Sequence, residues 1–305
     1  MRDSVRWVLK ETEGTTLSDS IILFLIKLSY LSIRIFLRVI LGKEKRDRWY
    51  IKRGLDYGTF WFFAVKYLFP NAKNLLRFKC KRYGYEFYCR LNKDDFKVMT
   101  IHEEELIESF KPAMGDTFID VGAHIGLYSI IGSKLVGANG KVIAIEAEPC
   151  NYQMLASNIQ LNRLENVEAI NCAAFSKDDN VKLYLRSAGS NFTKYNTLIS
   201  IFTQSEDGYI MVKARTLDSL IAETGTSLNV NWMKIDVEGA EFEVLKGADK
   251  ILSESNDLYL LLELHGGEVY WKPKLENFLK VYKFDTVFQR YYKENGSAHF
   301  LLHKT

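Results

Sequence analysis

Short apolar runs alternate with stretches of helical periodicity over the second half of the chain. Four of the runs lead into an acidic residue, at 117–120, 141–146, 232–236 and 258–263. This pattern predicts repeated strand–helix units. The stretch from 281 to 302 instead predicts two strands joined by a polar turn, which is a terminal hairpin.

The first apolar run ends in a glycine turn, Thr-Phe-Ile-Asp-Val-Gly-Ala-His-Ile-Gly at 117–126. Glycine has no Cβ and accepts positive φ, so such a turn lets the backbone approach a ligand closely. The spacing is not the G-x-G-x-x-G dinucleotide fingerprint. It resembles the S-adenosylmethionine loop of Rossmann-like methyltransferases. The candidate cofactor-binding residues of this loop are Asp120, Gly122, Ala123, His124 and Gly126.

Glu146 ends the second apolar run, 24 residues after Gly122. In βαβ nucleotide-binding units an acid at this place accepts hydrogen bonds from ribose hydroxyls. The alternative is an acid favoured by the dipole of the helix that Pro149 begins. Both interpretations can hold at once, so Glu146 is a candidate ribose-binding residue.

Further motifs follow in Thr216-Leu-Asp218 and in Lys234-Ile-Asp-Val-Glu-Gly-Ala-Glu241. With the glycine turn and Glu146, they resemble the FkbM family of S-adenosylmethionine-dependent methyltransferases. The resemblance covers roughly residues 75–305 and departs at 146–149, where the family often has Glu-Pro-x-Pro. It implies an α/β, Rossmann-like class I methyltransferase fold. Such a fold has a seven-stranded, mostly parallel sheet with a C-terminal antiparallel hairpin, here preceded by an N-terminal helical extension.

The resemblance also implies places for the cofactor. Gly122, Ala123 and Gly126 would lie near its methionine part, and Glu146 would hold the ribose. After the third strand, which we predict at 167–171, Cys172 and Ala173 would border the adenine. His124 would be a neighbour of the cofactor.

Methyl transfer requires the protein to orient cofactor and acceptor and to remove a proton from the acceptor hydroxyl. Ligands bind at the carboxyl ends of parallel strands, which points to the third and fourth acidic runs. The candidate catalytic residues are Lys234, Asp236, Glu238 and His265. His265 precedes two glycines that would leave its ring accessible as a general base, although a packing role is the alternative.

A magnesium site is conceivable from Asp236, Glu238 and Glu263, since hard cations prefer oxygen ligands. The spacing of these residues does not demand one, and we assign no metal. The cysteines include no C-x-x-C pair, which argues against zinc. A hairpin turn at Gly84-Tyr85 would place Cys80 opposite Cys89, either as a disulfide or as two free thiols.

Charge and composition divide the chain. Residues 1–115 hold 22 Lys/Arg and 14 Asp/Glu, a net charge of +8, whereas the remainder is acidic. We predict a basic, aromatic helical extension at 1–72, a hairpin and short helix at 73–112, and the methyltransferase domain at 113–305. The basic character of the extension suggests phosphate-bearing partners.

Residues 21–41 form an apolar run that could be a helix. Lys27, Arg34 and Arg38 fall on one face of it, which argues against a membrane span. Basic residues and aromatics continue to about residue 53, a pattern typical of a helix lying in a membrane surface. Packing within the protein or against another subunit is the alternative. We see no secretory signal and expect a cytoplasmic protein, peripheral at the membrane face.

The resemblance to the FkbM family thus implies an O-methyltransferase that acts on a hydroxyl of a sugar, glycolipid or secondary metabolite. Its partner would be a hydroxyl-bearing small molecule or a glycan- or lipid-linked substrate. The alternatives are a nucleic-acid methyltransferase and a non-catalytic protein of the same fold tethered at a membrane. Against nucleic acid, the Asn/Asp-Pro-Pro-Tyr/Phe motif is missing and no RNA-binding module is recognisable.

Overall fold

The chain divides into two compact units, residues 1–102 and 103–305. A computed structural model describes residues 5–9, 76–82, 84–90, 95, 104–185, 198, 208–292 and 296–305. The helix predicted at 21–41 lies outside the described residues. Among the residues that are described, no helix is both long and apolar enough to cross a bilayer.

The first unit contains a three-stranded antiparallel sheet of β1 (Val5–Leu9), β2 (Leu76–Arg82) and β3 (Tyr85–Arg90). The predicted hairpin is therefore present, but its predicted register is wrong. Arg82 pairs with Tyr85, so the backbone of Cys80 lies opposite Phe87 and not opposite Cys89. The turn comes one residue earlier than expected because Gly84, at φ +86°, takes the left-handed position.

The second unit alternates strands and helices. Its strands are β4 (Thr117–Val121), β5 (Lys141–Ile145), β6 (Val167–Ile170), β7 (Ala173–Ala174), β8 (Asp179–Leu185), β9 (Gly208–Arg215), β10 (Trp232–Ile235), β11 (Leu258–Leu264), β12 (Asp285–Tyr292) and β13 (Ser297–Lys304). Its helices are α1 (Glu104–Ser109), α2 (Leu127–Val136), α3 (Pro149–Leu161), α4 (Leu217–Glu223), α5 (Glu241–Lys246), α6 (Asp249–Glu254) and α7 (Glu268–Tyr282).

Seven of these strands form the main sheet, in the order β12-β13-β11-β10-β4-β5-β6. The pairs from β11 to β6 are all parallel, and β13 runs antiparallel to both of its neighbours. The seven-stranded, mostly parallel sheet with a terminal hairpin is thereby confirmed. From β4 the chain adds β5 and β6 on one side, and it later returns to add β10 on the other side of β4. The strand order therefore reverses between β4 and β10, and a ligand crevice is expected at the carboxyl ends of these two strands.

The central strands β4, β5, β10 and β11 are buried on both faces, which is why they read as unbroken apolar runs. All four residues of β10 are buried, and helix α7 contributes Trp271, Leu275 and Phe278 to the same core. A second small sheet, β7-β9-β8, has its own apolar cluster around Leu183 and Val212. The sequence did not predict this sheet, because β7 is only two residues long.

Candidate active site

The glycine turn sits at the carboxyl end of β4, beside the reversal point. Gly122 has φ +77°, and the amides of Gly122 and Ala123 both donate to the carbonyl of Ile145 at 3.0 Å. Gly126, at φ +94°, opens α2. The turn therefore ties β4 to β5 while it directs the chain into the helix.

Close packing requires glycine at 122, and the left-handed φ of +94° favours it at 126. A Cβ at Gly122 would lie 1.9 Å from the backbone oxygen of Asp236, and one at Gly126 would lie 2.7 Å from Leu155 Cδ1. The turn consequently lies in contact with the segment that leaves β10. This contact brings the predicted cofactor-binding and catalytic residues together in one place.

Asp120 lies buried beneath the turn. Its Oδ2 accepts a 2.5 Å hydrogen bond from Ser129, and its Oδ1 has no hydrogen-bond partner among the described residues. Burial raises the pKa of Asp120, which the nearby Lys234 partly opposes. Lys234 Nζ lies 3.9 Å from Asp120 Oδ1 and 3.5 Å from Asp236 Oδ2, so this ammonium links the two strand ends.

Glu146 holds the turn from the side of β5. Its Oε2 accepts the backbone N–H of His124 at 2.8 Å, and its Oε1 accepts that of Glu148 at 2.9 Å. Burial raises the pKa of Glu146. The cap of α3 belongs to Glu148, whose carboxylate accepts from Cys150 and Asn151. The acid at the N-terminus of α3 is therefore Glu148 and not Glu146, for which this role was the alternative interpretation. Glu148 directly follows Ala147, where the sequence departs from the family pattern.

Cys172 and Ala173 lie farther along the same edge and are both buried. Cys172 packs in the main core and lines a cavity of about 380 Å³, while Ala173 begins β7. Burial raises the pKa of the Cys172 thiol to about 11. Their neighbour Asn171 donates a 2.8 Å hydrogen bond to the carbonyl of Glu146, which connects this edge to the turn. That Cys172 and Ala173 contact the adenine of the cofactor stays a prediction.

We call Asp120, Gly122, Ala123, His124, Gly126 and Glu146 the cofactor turn. A second group lies at the carboxyl ends of β10 and β11 and at the start of β13. We call it the carboxylate–histidine cluster, and its members are Asp236, Glu238, Glu241, Glu263, His265 and His299.

His265 is at the centre of this cluster. Its Nε2 lies 3.3 Å from Glu238 Oε2 and 3.4 Å from Glu263 Oε1, and its Nδ1 lies 2.8 Å from Glu241 Oε1. Glu263 Oε2 in turn lies 3.0 Å from His299 Nε2. Two carboxylates therefore face one edge of the His265 ring, and a third faces the opposite nitrogen.

The chain between β10 and α5 is shaped to present these acids. Glu238 adopts the left-handed φ of +55°, an uncommon conformation for a residue other than glycine that often marks a functional site. Gly239 follows at φ +108°, and its N–H donates to Glu241 Oε1 at 2.7 Å. Glu241 is only 1% exposed, and its Oε2 lacks a hydrogen-bond partner among the described residues.

The proximity of these groups shifts their pKa values in opposite directions. Burial raises the pKa of Glu238 well above its usual value, and the neighbouring acids add to the shift. Burial would also raise the pKa of Glu263, but hydrogen bonds from His265 and His299 outweigh it and lower that pKa. Burial opposes the imidazolium form of His265, yet Glu238, Glu241 and Glu263 hold its pKa well above the usual value.

The structure brings the four predicted catalytic residues to one edge of the sheet. Lys234 and Asp236 pair with each other, and Glu238 pairs with His265. Sequence reasoning missed Glu241 and His299. Glu241 is the last residue of the motif at 234–241, but it contacts His265, which lies 24 residues farther along the chain, so the motif alone does not indicate this contact. The position of His299 depends on the β11–β13 register, which sets it opposite Glu263.

The residues of the cofactor turn fit an adenosyl sulfonium. Asp120 Oδ1 is a buried acceptor with no hydrogen-bond partner among the described residues. Glu146 Oε1 accepts from the Glu148 amide and from the Asn151 side chain, whereas Oε2 accepts from the His124 amide and can take a second hydrogen bond. A ribose hydroxyl therefore has acceptors at the place that the sequence predicts.

Comparison with known proteins identifies the family. Residues 120–289 match the methyltransferase FkbM domain. The chain is 27% identical over 170 residues to methyltransferase 1 of Beauveria bassiana, covering 50% of this chain and 68% of that protein. It is 28% identical over 152 residues to hexuronic acid methyltransferase AglP of Haloferax volcanii, covering 50% and 57%.

Among solved structures, methyltransferase FkbM from Methylobacillus flagellatus KT aligns with a TM-score of 0.46 at 16% identity, over 67% of this chain and 47% of that one. The family match covers more than half of the chain and contains both the cofactor turn and most of the carboxylate–histidine cluster. The chain therefore belongs to the FkbM family of methyltransferases, and its cofactor is S-adenosyl-L-methionine.

Proposed function

We propose that this protein transfers a methyl group from S-adenosyl-L-methionine to a hydroxyl group of a sugar, glycolipid or secondary metabolite. One observation carries the proposal: the carboxylate–histidine cluster lies directly beside the cofactor turn. A Cβ added at Gly122 would lie only 1.9 Å from the Asp236 backbone oxygen, so the turn is in direct contact with the segment that carries Asp236. An acceptor held between the two regions would meet groups able to take its proton.

When bound, S-adenosyl-L-methionine supplies a methyl group already activated on a sulfonium. The protein must then orient the acceptor and accept its proton. Asp236 and Glu238 are partly exposed, with 25% and 23% of their side chains accessible, so they can contact an acceptor. The cluster would take the proton of the acceptor hydroxyl, so that the acceptor oxygen could receive the methyl group that the sulfonium releases.

Lys234 has a positioning role in this proposal. It lies between Asp120 and Asp236 and is 5.2 Å from the centre of the Tyr128 ring. These contacts hold its ammonium in place and balance the charge of Asp120. Asp236 is thereby oriented toward the crevice at the end of β10.

A transfer assay with radiolabelled methyl donor tests the function. The full chain is incubated with cell fractions of lipid, glycan and RNA, and each product is then treated with mild base. Methyl ethers made on hydroxyls survive mild base, whereas methyl esters made on carboxylates release their label. We expect base-stable label in the glycan or lipid fraction, and none of it with the Gly122→Ala variant.

Three results would contradict the proposal. Label that enters only RNA would assign the protein to nucleic-acid methylation. Label lost completely in mild base would assign a carboxyl acceptor, such as the carboxyl group that a hexuronic acid carries. Absence of label in every fraction, together with absence of S-adenosyl-L-methionine binding in calorimetry, would indicate a non-catalytic protein of this fold.

We also propose that the protein is cytoplasmic and contacts a membrane surface through residues 21–53. The support is the sequence alone: a run of apolar residues with Lys27, Arg34 and Arg38 on one face, followed by basic residues and aromatics. The full chain should float with anionic vesicles at low salt and dissociate at high salt. Equal binding to neutral vesicles would contradict an electrostatic contact.

A further inference from the structure

We propose that Asp236, Glu263 and His265 bind a divalent transition-metal ion such as Mn²⁺. This inference deepens the proposed function, on which its catalytic meaning rests, because the ion would hold the acceptor hydroxyl. One potential ligand atom from each of the three side chains lies within 4.8 Å of the others. Donor atoms at such separations reach a shared ion after small side-chain rotations.

The tautomer of His265 supports a ligand role. Its Nδ1 lies 2.8 Å from Glu241 Oε1, and Glu241 is buried with only 1% of its side chain exposed. A carboxylate in that position accepts the Nδ1 proton, so Nε2 is the nitrogen directed at Glu238 and Glu263, and a metal ion there would take the place of the Nε2 proton. A histidine that donates its second N–H to a carboxylate is the usual arrangement of a metal-bound imidazole.

Glu263 has a comparable support. Its Oε2 lies 3.0 Å from His299 Nε2, while its Oε1 faces His265. His299 is itself held by Tyr292, whose hydroxyl lies 3.3 Å from Nδ1. Both proposed ligands on β11 and its extension thus have a partner that fixes their orientation.

Charge and access also favour a cation. Four acids lie around the imidazoles of His265 and His299: Asp236, Glu238, Glu241 and Glu263. Glu241 Oε2 is a buried oxygen with no hydrogen-bond partner among the described residues, so its negative charge is only partly compensated. The three ligands are not sealed off, since 17–25% of each side chain is exposed.

The donor set selects the kind of ion. One imidazole nitrogen and two carboxylates suit Mn²⁺, Fe²⁺, Co²⁺ or Zn²⁺, whereas Mg²⁺ and Ca²⁺ prefer oxygen alone. Lys234 occupies one oxygen of Asp236 at 3.5 Å and leaves the other for the ion. An acceptor hydroxyl on the ion would have a lowered pKa, because the positive charge stabilises the alkoxide. Glu238 stands next to this position and would take the proton.

Electron paramagnetic resonance of Mn²⁺ tests the site without reference to catalysis. The full chain is stripped with EDTA, dialysed and titrated with Mn²⁺, since the six-line signal of the free ion weakens on binding. We expect one ion per chain. His265→Gln and Glu263→Gln should weaken binding more than about 100-fold, and Glu241→Gln about 10–100-fold, as for other groups that orient a ligand. Asp236→Asn is a second ligand variant in case another does not fold.

The matched control is His303→Gln. His303 also pairs with an acid, Asp257 at 2.7 Å, but at the opposite end of β11. Its Mn²⁺ affinity should equal that of the wild type, and each variant should retain the wild-type unfolding transition and S-adenosyl-L-methionine affinity.

Two results would overturn the metal site: no signal loss with the stripped wild-type chain, or equal affinity in wild type and His265→Gln. In the first case, methyl transfer at full rate in EDTA would leave the proposed function standing. Conversely, Mn²⁺ bound at this site in a protein that labels no hydroxyl would support the site and contradict the proposed function.

Discussion

The cofactor turn and the carboxylate–histidine cluster both bury acids at strand ends, but they satisfy them differently. In the turn, Glu146 accepts two backbone N–H groups, and Asp120 accepts the hydroxyl of Ser129. In the cluster, Glu238 and Glu263 face the ring of His265. Neutral donors, two backbone amides and one hydroxyl, hold the acids of the cofactor turn, whereas ionisable groups face each other in the cluster.

This difference separates two tasks. Backbone amides cannot change their protonation, so acids that they hold define a shape for a ligand. Carboxylates that share an imidazole can exchange a proton or bind a cation, and such clusters are typical of sites where chemistry occurs. The cofactor turn is accordingly built to bind, and the cluster is built to react.

The largest expected effect comes from Gly122→Ala, which should separate the two regions. The added Cβ would clash with the Asp236 carbonyl and strain a residue at φ +77°. The left-handed strain alone costs about 1–2 kcal/mol, and overpacking adds about 1–3 kcal/mol. Urea unfolding should show this loss, and calorimetry should show no binding of S-adenosyl-L-methionine. Gly115→Ala is the control, since it has φ +92° with nothing within 4 Å. Equal losses in both variants would contradict the close contact.

His265→Gln should act on turnover and leave cofactor binding intact. Removing a group that handles the acceptor proton lowers kcat by about 10²–10⁴-fold. The affinity for S-adenosyl-L-methionine, measured by calorimetry, should stay at the wild-type value. His303→Gln removes an imidazole paired with Asp257 at the other end of the sheet and should not change kcat. A kcat unchanged in His265→Gln would remove the cluster from the reaction.

Glu146→Gln should have the opposite effect, on cofactor affinity and not on turnover. A hydrogen bond to a charged group contributes about 1.5–3 kcal/mol, which corresponds to a Kd about 10–100-fold higher. At saturating cofactor, kcat should approach the wild-type value. Glu165→Gln, at an exposed acid between α3 and β6, is the control. A Kd equal to that of the wild type would refute the ribose assignment.

Ser129→Ala is the smallest change and tests how the turn satisfies Asp120. It removes the 2.5 Å hydrogen bond to Oδ2 and leaves a buried carboxylate with less compensation. We expect a loss of about 1–3 kcal/mol in unfolding free energy. The loss should shrink as the pH falls, because the raised pKa of Asp120 lets it neutralise by protonation. Ser157→Ala, which removes only an exposed hydrogen bond to the Gln153 carbonyl within α3, should change stability by less than about 0.5 kcal/mol.

Local patterns predicted the cofactor turn well. The apolar run, the two glycines and the acid 24 residues later lie within one βαβ unit, where spacing along the chain fixes spacing in the fold. Long-range contacts were less accessible. The pairing of Glu241 with His265 and of Glu263 with His299 requires the register of β11 with its neighbours. A hairpin register is also sensitive to a single residue, as the shift of Cys80 relative to Cys89 shows.

The sequence by itself determined the fold class, the cofactor turn and the family, because each depends on short-range periodicity or on a motif with a local geometry. Only the tertiary structure decided that four acids from β10, α5 and β11 converge on His265. Their charges meet because parallel strands bring their carboxyl ends to the same edge of the sheet. Strand order and register are properties of the packed sheet, and no single segment of the chain encodes them.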